Sequence, residues 1–115
     1  IAIKLRPDHP KIHYNLGVVY HKQGRLEEAV EAYKAALKLS PDDIQVRLNL
    51  GTVYAAQGRL DEAQKEFIAV MELSPNDPIV HYNLGKTYIN KGMEEEARKH
   101  FEMALKLKPD FKVAQ

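Results

Sequence analysis

Three asparagines, Asn15, Asn49 and Asn83, follow one another at intervals of 34 residues. A carboxamide side chain carries a hydrogen-bond donor and an acceptor, so it can pair with both the C=O and the N–H of an extended peptide backbone. Asparagine is also a mediocre helix former, which argues against a filler on a helix surface. The spacing predicts a row of amides that binds a peptide backbone. The alternative is that each Asn merely suits a polar helix surface or bonds a neighbouring helix.

Other reactive residue types do not assemble into a recognisable site. His9 and His13 have the spacing of a helical metal pair, but Pro10 is expected to begin the helix after His9, and no third ligand is evident. The segment "HKQGR" lacks the preceding strand and the second glycine of a phosphate loop. No Ser–His–Asp order or paired-carboxylate site stands out. We therefore predict no enzymatic activity, no metal site and no cofactor.

Composition argues against several kinds of partner. The 115 residues have a formal net charge of +1 and include no Cys. The sequence thus offers no general attraction to nucleic acid and no disulfide or thiolate site. No apolar run approaches the roughly 18–20 residues of a membrane-spanning helix. We expect no nucleic-acid partner and no membrane partner. The compartment stays unknown, with cytoplasm as the default.

The 34-residue interval extends to many positions, which indicates a structural repeat. The sets that follow it include Pro7/Pro41/Pro75/Pro109, Leu16/Leu50/Leu84, Gly17/Gly51/Gly85, Tyr20/Tyr54/Tyr88, Gly24/Gly58/Gly92 and Ala29/Ala63/Ala97. Each unit contains two stretches with apolar residues at helical spacing. Gly24 suits the left-handed position after a first helix, and Pro41 stops the second. Each unit is therefore predicted to be a helix–turn–helix.

This pattern resembles the tetratricopeptide repeat family over the whole chain. The matching residues are Leu16, Gly17, Tyr20, Ala29, Tyr33, Ala36 and Pro41 in the first unit, Leu50, Gly51, Tyr54, Ala63, Phe67, Val70 and Pro75 in the second, and Leu84, Gly85, Tyr88, Ala97, Phe101, Ala104 and Pro109 in the third. His13, Arg47 and His81 depart from the Trp or Leu that the family often has. The resemblance implies an all-α, right-handed solenoid that binds other proteins. The "NLG" and "QGR" segments are similar to repeats of O-linked N-acetylglucosamine transferases, where asparagine ladders line the groove.

The predicted repeats span residues 10–43, 44–77 and 78–111. Residues 1–9 align with the end of a preceding repeat, and 112–115 with the start of a following one. Repeat arrays normally finish with a capping helix that is polar outside. We interpret the sequence as a piece of a longer array, with a natural three-repeat protein as the alternative.

The open face of each first helix is predicted to line the groove, as it does in the resembling family. The predicted contacts are Lys11, Tyr14, Asn15, Val18, His21, Lys22, Leu48, Asn49, Thr52, Ala55, Tyr82, Asn83, Lys86 and Ile89. The three first helices (10–23, 44–57 and 78–91) contain five basic residues and no Asp or Glu. The groove is therefore expected to prefer a neutral or acidic protein or peptide segment.

The expected function is non-enzymatic binding of an extended or helical protein segment. One alternative is a scaffold that self-associates by head-to-tail stacking of apolar ends. These ends carry Ile1, Ile3 and Leu5 on one side and Phe111 and Val113 on the other. Another alternative is a substrate-recruiting arm of a larger enzyme. The carboxylate clamp by which related domains hold chaperone tails matches this chain only at Asn49, so no binding of such tails is predicted.

Overall fold

A computed structural model describes residues 10–108 of the chain. The six helices of this part are α1 (Pro10–Lys22), α2 (Leu26–Leu39), α3 (Ile44–Ala56), α4 (Leu60–Leu73), α5 (Pro78–Asn90) and α6 (Glu94–Leu107). Each helix packs against its neighbours in the sequence, which gives a body of 54 × 25 × 24 Å. The predicted all-α repeat solenoid is confirmed. The predicted partial repeats at 1–9 and 112–115 lie outside the described residues.

A glycine in the left-handed conformation ends each first helix. Gly24, Gly58 and Gly92 have φ of 77°, 77° and 80°. After the first of them, the Arg25 N–H donates to the Tyr20 carbonyl at 2.9 Å, which satisfies a carbonyl that the end of the helix leaves unpaired. Only glycine adopts this backbone conformation without a Cβ penalty. The turn between the two helices of a repeat therefore has the same geometry each time.

Aspartate side chains cap the first helices of the second and third repeats. The Asp43 carboxylate accepts from the Val46 N–H at 3.2 Å, and the Asp77 carboxylate accepts from the Ile79 N–H at 2.9 Å. Such a cap stabilises a helix by about 1 kcal/mol because it satisfies a donor that has no partner within the helix. These caps determine where α3 and α5 begin.

Within each repeat, a glycine of the first helix meets an aromatic ring of the second. A Cβ atom added at Gly17 would lie 2.5 Å from the Tyr33 ring, and one added at Gly51 would lie 2.6 Å from the Phe67 ring. Both rings are buried. The two helices approach so closely because the glycines leave room for the rings. This packing directs the opposite side of each first helix outward.

In the second and third repeats, a pair of polar side chains forms a hydrogen bond to the turn that precedes the repeat. Arg47 donates from Nε to the Pro41 carbonyl at 3.0 Å and forms an ion pair with Glu66 at 2.9 Å. One repeat later, His81 Nε2 lies 2.9 Å from the Pro75 carbonyl, and His81 Nδ1 lies 3.1 Å from His100 Nδ1. The residues that replace the family's usual Trp or Leu at these two positions therefore form hydrogen bonds.

Candidate functional site

Many of the predicted contacts lie on one surface formed by α1, α3 and α5, which we call the groove face. It comprises Val18, His21, Lys22, Asn49, Thr52, Ala55, Asn83 and Lys86. It contains two depressions. The first depression lies between α1 and α3 and has a cavity volume of about 370 Å³. The second depression lies between α3 and α5 and has a cavity volume of about 70 Å³.

The two depressions are the same structural position in successive repeats. The first is lined by Val18, His21, Lys22, Tyr33, Asn49 and Thr52. The second is lined by Thr52, Ala55, Phe67, Asn83, Lys86, Thr87 and Asn90. Adding 34 to the residue numbers of the first lining gives most of the residue numbers of the second lining. A ligand that lies along the groove face would therefore meet one depression per repeat.

Several predicted contacts lie elsewhere. Leu48 is buried in the core with 9% of its surface exposed, so it does not line the groove face. Lys11 and Tyr14 line a separate depression with Pro10, Asp43 and Gln45. Ile89 lines a surface with Phe101 and Leu105. Asn15 is exposed but lines no depression described here, and Tyr82 packs its ring against Phe101 at 5.9 Å.

Some residues of the depressions were not among the predicted contacts. Tyr33 and Phe67 belong to the second helices, and Thr87 lies on the packed side of α5. Asn90 lies in the last turn of α5, on the predicted open face. The periodicity of a single helix cannot identify Tyr33 and Phe67, because they reach the groove face between two first helices.

The amide of Asn49 is engaged within the protein. Its Nδ2 donates to the Tyr14 hydroxyl at 3.3 Å and to the Tyr33 hydroxyl at 3.4 Å, and its Oδ1 accepts from Gln45 Nε2 at 3.0 Å. Burial raises the pKa of the Tyr33 hydroxyl above its ordinary value, and the hydrogen bond from Asn49 opposes that shift. At Asn49 the structure therefore agrees with the alternative given above, in which the Asn side chain bonds a neighbouring helix. A ligand that uses this amide has to displace these bonds.

Asn83 occupies the equivalent position one repeat later without any of these partners. The residues equivalent to Tyr14, Tyr33 and Gln45 are Leu48, Phe67 and Ile79. None of those three side chains has a hydrogen-bonding group. Within residues 10–108, the Asn83 side chain forms no hydrogen bond, and neither does that of Asn15. Asn83 is partly exposed in the second depression, where a ligand can reach its amide.

The groove face is basic, and its lysines are not neutralised by the protein. Lys22 and Lys86 form no ion pair within the described part of the chain, and Lys86 Nζ lies 5.1 Å from the centre of the Tyr82 ring. No carboxylate lines either depression. The ion pairs of the described residues instead involve acids of the second helices, as in the pairs of Arg98 with Glu95 and Glu102. The groove face therefore carries positive charge that no carboxylate of the depressions offsets.

The described residues contain neither a membrane-spanning helix nor a cluster of metal ligands. None of the six helices is long and apolar enough to cross a membrane. Residues 10–108 contain no group of three or more His, Asp or Glu side chains placed to hold a metal ion.

Comparisons with known proteins agree with the helical repeat. A family model described as TPR repeat matches residues 2–24 and 19–58, and one described as Tetratricopeptide repeat matches residues 42–110. A crystal structure of MamA superposes with a TM-score of 0.87 at 25% sequence identity, over 91% of this chain and 61% of that one. A search of curated proteins finds no match.

Two further solved structures are similar. YrrB, described as a TPR protein with an unusual peptide-binding site, has a TM-score of 0.84 at 32% identity and is matched over 89% of this chain and 53% of its own. The first TPR of Spaghetti (RPAP3), bound to the HSP90 peptide SRMEEVD, has a TM-score of 0.85 at 21% identity, over 96% of this chain and 87% of that one. The chain thus spans about three fifths of the MamA chain, at 61%, and about half of YrrB, at 53%.

Proposed function

Because the chain belongs to the tetratricopeptide repeat family, we propose that it is a non-enzymatic interaction module that binds an extended or helical protein segment along the groove face. Members of this family and the similar solved structures are typically interaction modules. YrrB, at 32% identity, is described as having a peptide-binding site, which supports the same type of ligand here.

One observation carries the proposal: the depression between α1 and α3 recurs between α3 and α5, and no carboxylate lines either one. Neighbouring packed helices lie roughly 8–10 Å apart, and an extended peptide advances roughly 3.3 Å per residue. One depression per repeat therefore matches about three residues of a bound segment. The exposed Lys22 and Lys86 favour a segment that is neutral or acidic.

Binding to a random-peptide array tests the proposal. We expect the wild type to select a subset of peptides enriched in Asp and Glu. A Lys22→Glu, Lys86→Glu variant is expected to bind the same peptides roughly tenfold more weakly, because two attractive contacts become repulsive. The matched control is the double variant Lys34→Glu, Lys65→Glu. It changes the net charge by the same amount, but at exposed positions on the second helices. We expect the control to bind within about twofold of the wild type, since these positions lie outside both depressions.

Equal losses in the two variants would mean that net charge, rather than the groove face, determines binding. An array on which the wild type selects no peptide would refute the module itself. Far-ultraviolet circular dichroism of all three proteins establishes that the helical content is unchanged.

Self-association is the second candidate, supported by exposed apolar side chains. Leu105 and Ile89 are 52% and 51% exposed beside Phe101, and Leu16 is 43% exposed although its equivalents Leu50 and Leu84 are buried. The terminal residues on which the head-to-tail prediction rested, Ile1, Ile3, Leu5, Phe111 and Val113, lie outside the described residues. Light scattering over a concentration series separates this candidate from peptide binding. The role as the recruiting arm of a larger enzyme stays a prediction.

A further inference from the structure

We propose that the second depression is a carboxylate-binding subsite, in which Asn83, Lys86 and Asn90 hold an acidic side chain of the bound segment. This inference rests on the proposed function, because it assigns one position of the ligand. It goes further in naming the chemical group and the three side chains that bind it.

The three side chains project from one face of a single helix. Positions 83, 86 and 90 follow the i, i+3, i+7 pattern along α5, so their side chains lie next to one another. All three line the second depression. Within the described residues, none of their amide or ammonium groups has a side-chain hydrogen bond or an ion pair. Two amides and one ammonium, which also lies 5.1 Å from the centre of the Tyr82 ring, therefore border one small space.

The other polar groups of the second depression are already used. The Thr52 hydroxyl donates to the Leu48 carbonyl, and the Thr87 hydroxyl donates to the Asn83 carbonyl, each at 2.9 Å. The remaining lining consists of Ala55 and the buried Phe67 ring. The donors that remain for a ligand are therefore those of Asn83, Lys86 and Asn90.

A carboxylate fits these donors better than a peptide carbonyl does. An ionised carboxylate has about four acceptor positions on two oxygens, so it can bond two amides and an ammonium at the same time. Hydrogen bonds to a charged acceptor are also roughly twice as strong as those between neutral groups. A single carbonyl would leave the Lys86 charge unpaired. The small cavity volume, about 70 Å³, is compatible with a group of this size.

The first depression lacks this arrangement. Asn49 is bonded to Tyr14, Tyr33 and Gln45, and the position equivalent to Asn90 is Ala56. Its cavity volume is about 370 Å³, and Val18 contributes apolar surface. The two repeats therefore differ in selectivity: the second depression takes the acidic group, and the first accepts a larger side chain.

The experiment uses short peptides of defined chemistry. The side-chain amide resonances of Asn83 and Asn90 are followed by ¹⁵N nuclear magnetic resonance during titration with acetyl-Gly-Glu-Gly-amide. The comparison peptides are acetyl-Gly-Gln-Gly-amide, which lacks the charge, and acetyl-Gly-Gly-Gly with a free C-terminus, which presents a main-chain carboxylate. We expect saturable shifts of both amides with the Glu peptide and roughly tenfold weaker binding of the Gln peptide. Lys86→Gln is expected to remove most of this difference, whereas the control Lys65→Gln keeps it.

A free C-terminal peptide that binds more tightly than the Glu peptide would assign the subsite to a chain end and overturn the side-chain reading. The inference also fails if the amides of Asn83 and Asn90 show no saturable shift, or if Glu and Gln peptides bind equally. Array binding that depends on Lys22 and Lys86 would leave the proposed function standing in either case. If the wild type selects no peptide on the array, both the carboxylate subsite and the proposed peptide-binding function are wrong.

Discussion

Replacing Gly51 with alanine will lower the free energy of unfolding by about 1–3 kcal/mol, the usual cost of overfilling a packed core. The new Cβ would lie 2.6 Å from Cε1 and 2.8 Å from Cζ of the Phe67 ring. Phe67 is 2% exposed and sits in the core, so the ring cannot move away without separating α3 from α4. Alanine is a better helix former than glycine by about 1 kcal/mol, which offsets only part of this clash.

Urea unfolding followed by circular dichroism measures this effect. A double-mutant cycle with Phe67→Leu serves as the control, because a smaller side chain at position 67 makes room for the added methyl group. We expect Gly51→Ala to cost at least about 1 kcal/mol less in the Phe67→Leu background than in the wild type. An alanine variant as stable as the wild type, or equal costs in both backgrounds, would contradict the role assigned to this glycine.

Acidification from pH 7.5 to 5.5 will destabilise the protein through the pair His81–His100. Because a carbonyl only accepts, His81 Nε2 donates to the Pro75 carbonyl. A neutral pair of rings satisfies the second contact as well, with one Nδ1 donating and the other accepting. The pKa of His100 lies below its ordinary value of 6.5, mainly because the ring is partly buried and secondly because His81 is close. The nearby Glu96 carboxylate has the opposite effect on this pKa. The Tyr88 ring stacks on the His100 ring, with 5.4 Å between the ring centres.

The direction of the pH effect follows from this lowered pKa. Between the folded and unfolded pKa values of His100, the unfolded chain binds more protons than the folded chain. The stability is thus fully present above pH 6.5, and it is lost as the pH falls through 6.5 toward the lower folded pKa. Protonation of His100 adds charge to a partly buried ring beside a second histidine.

The second repeat supplies the matched control for this prediction. Arg47 and Glu66 occupy the positions of His81 and His100, and Arg47 makes the same contact with a proline carbonyl. A His81→Arg, His100→Glu variant copies that pair into the third repeat. We expect the thermal midpoint of the wild type to fall more between pH 7.5 and 5.5 than that of the variant. Parallel falls in the two proteins would show that other groups control the acid response.

The repeat architecture could be predicted from the sequence because its causes are local. A glycine with positive φ, an aspartate cap and a small residue opposite a ring recur at fixed positions, and each has one steric or hydrogen-bonding explanation. The positions of Gly24 and Pro41 are therefore sufficient to predict where the helices of a repeat end.

The different contacts of equivalent side chains could not be predicted in the same way, because they depend on residues of other helices. Asn49 and Asn83 are equivalent in sequence, but only Asn49 meets the hydroxyls of Tyr14 and Tyr33. Leu48 belongs to the buried core cluster, although the periodicity of one helix places it on the open face. The two tyrosines that bond Asn49 lie 35 and 16 residues away from it in the chain.

The most direct test of the groove face is a map of backbone amide shifts in the ¹⁵N-labelled protein, with the strongest peptide from the array as ligand. We expect the largest shifts on residues 18–22 of α1, 49–56 of α3 and 83–90 of α5, and little change on the exposed sides of α2 and α4. Shifts concentrated on α6 around Phe101 and Leu105 would contradict it, because binding would then occur at the exposed end of the repeats.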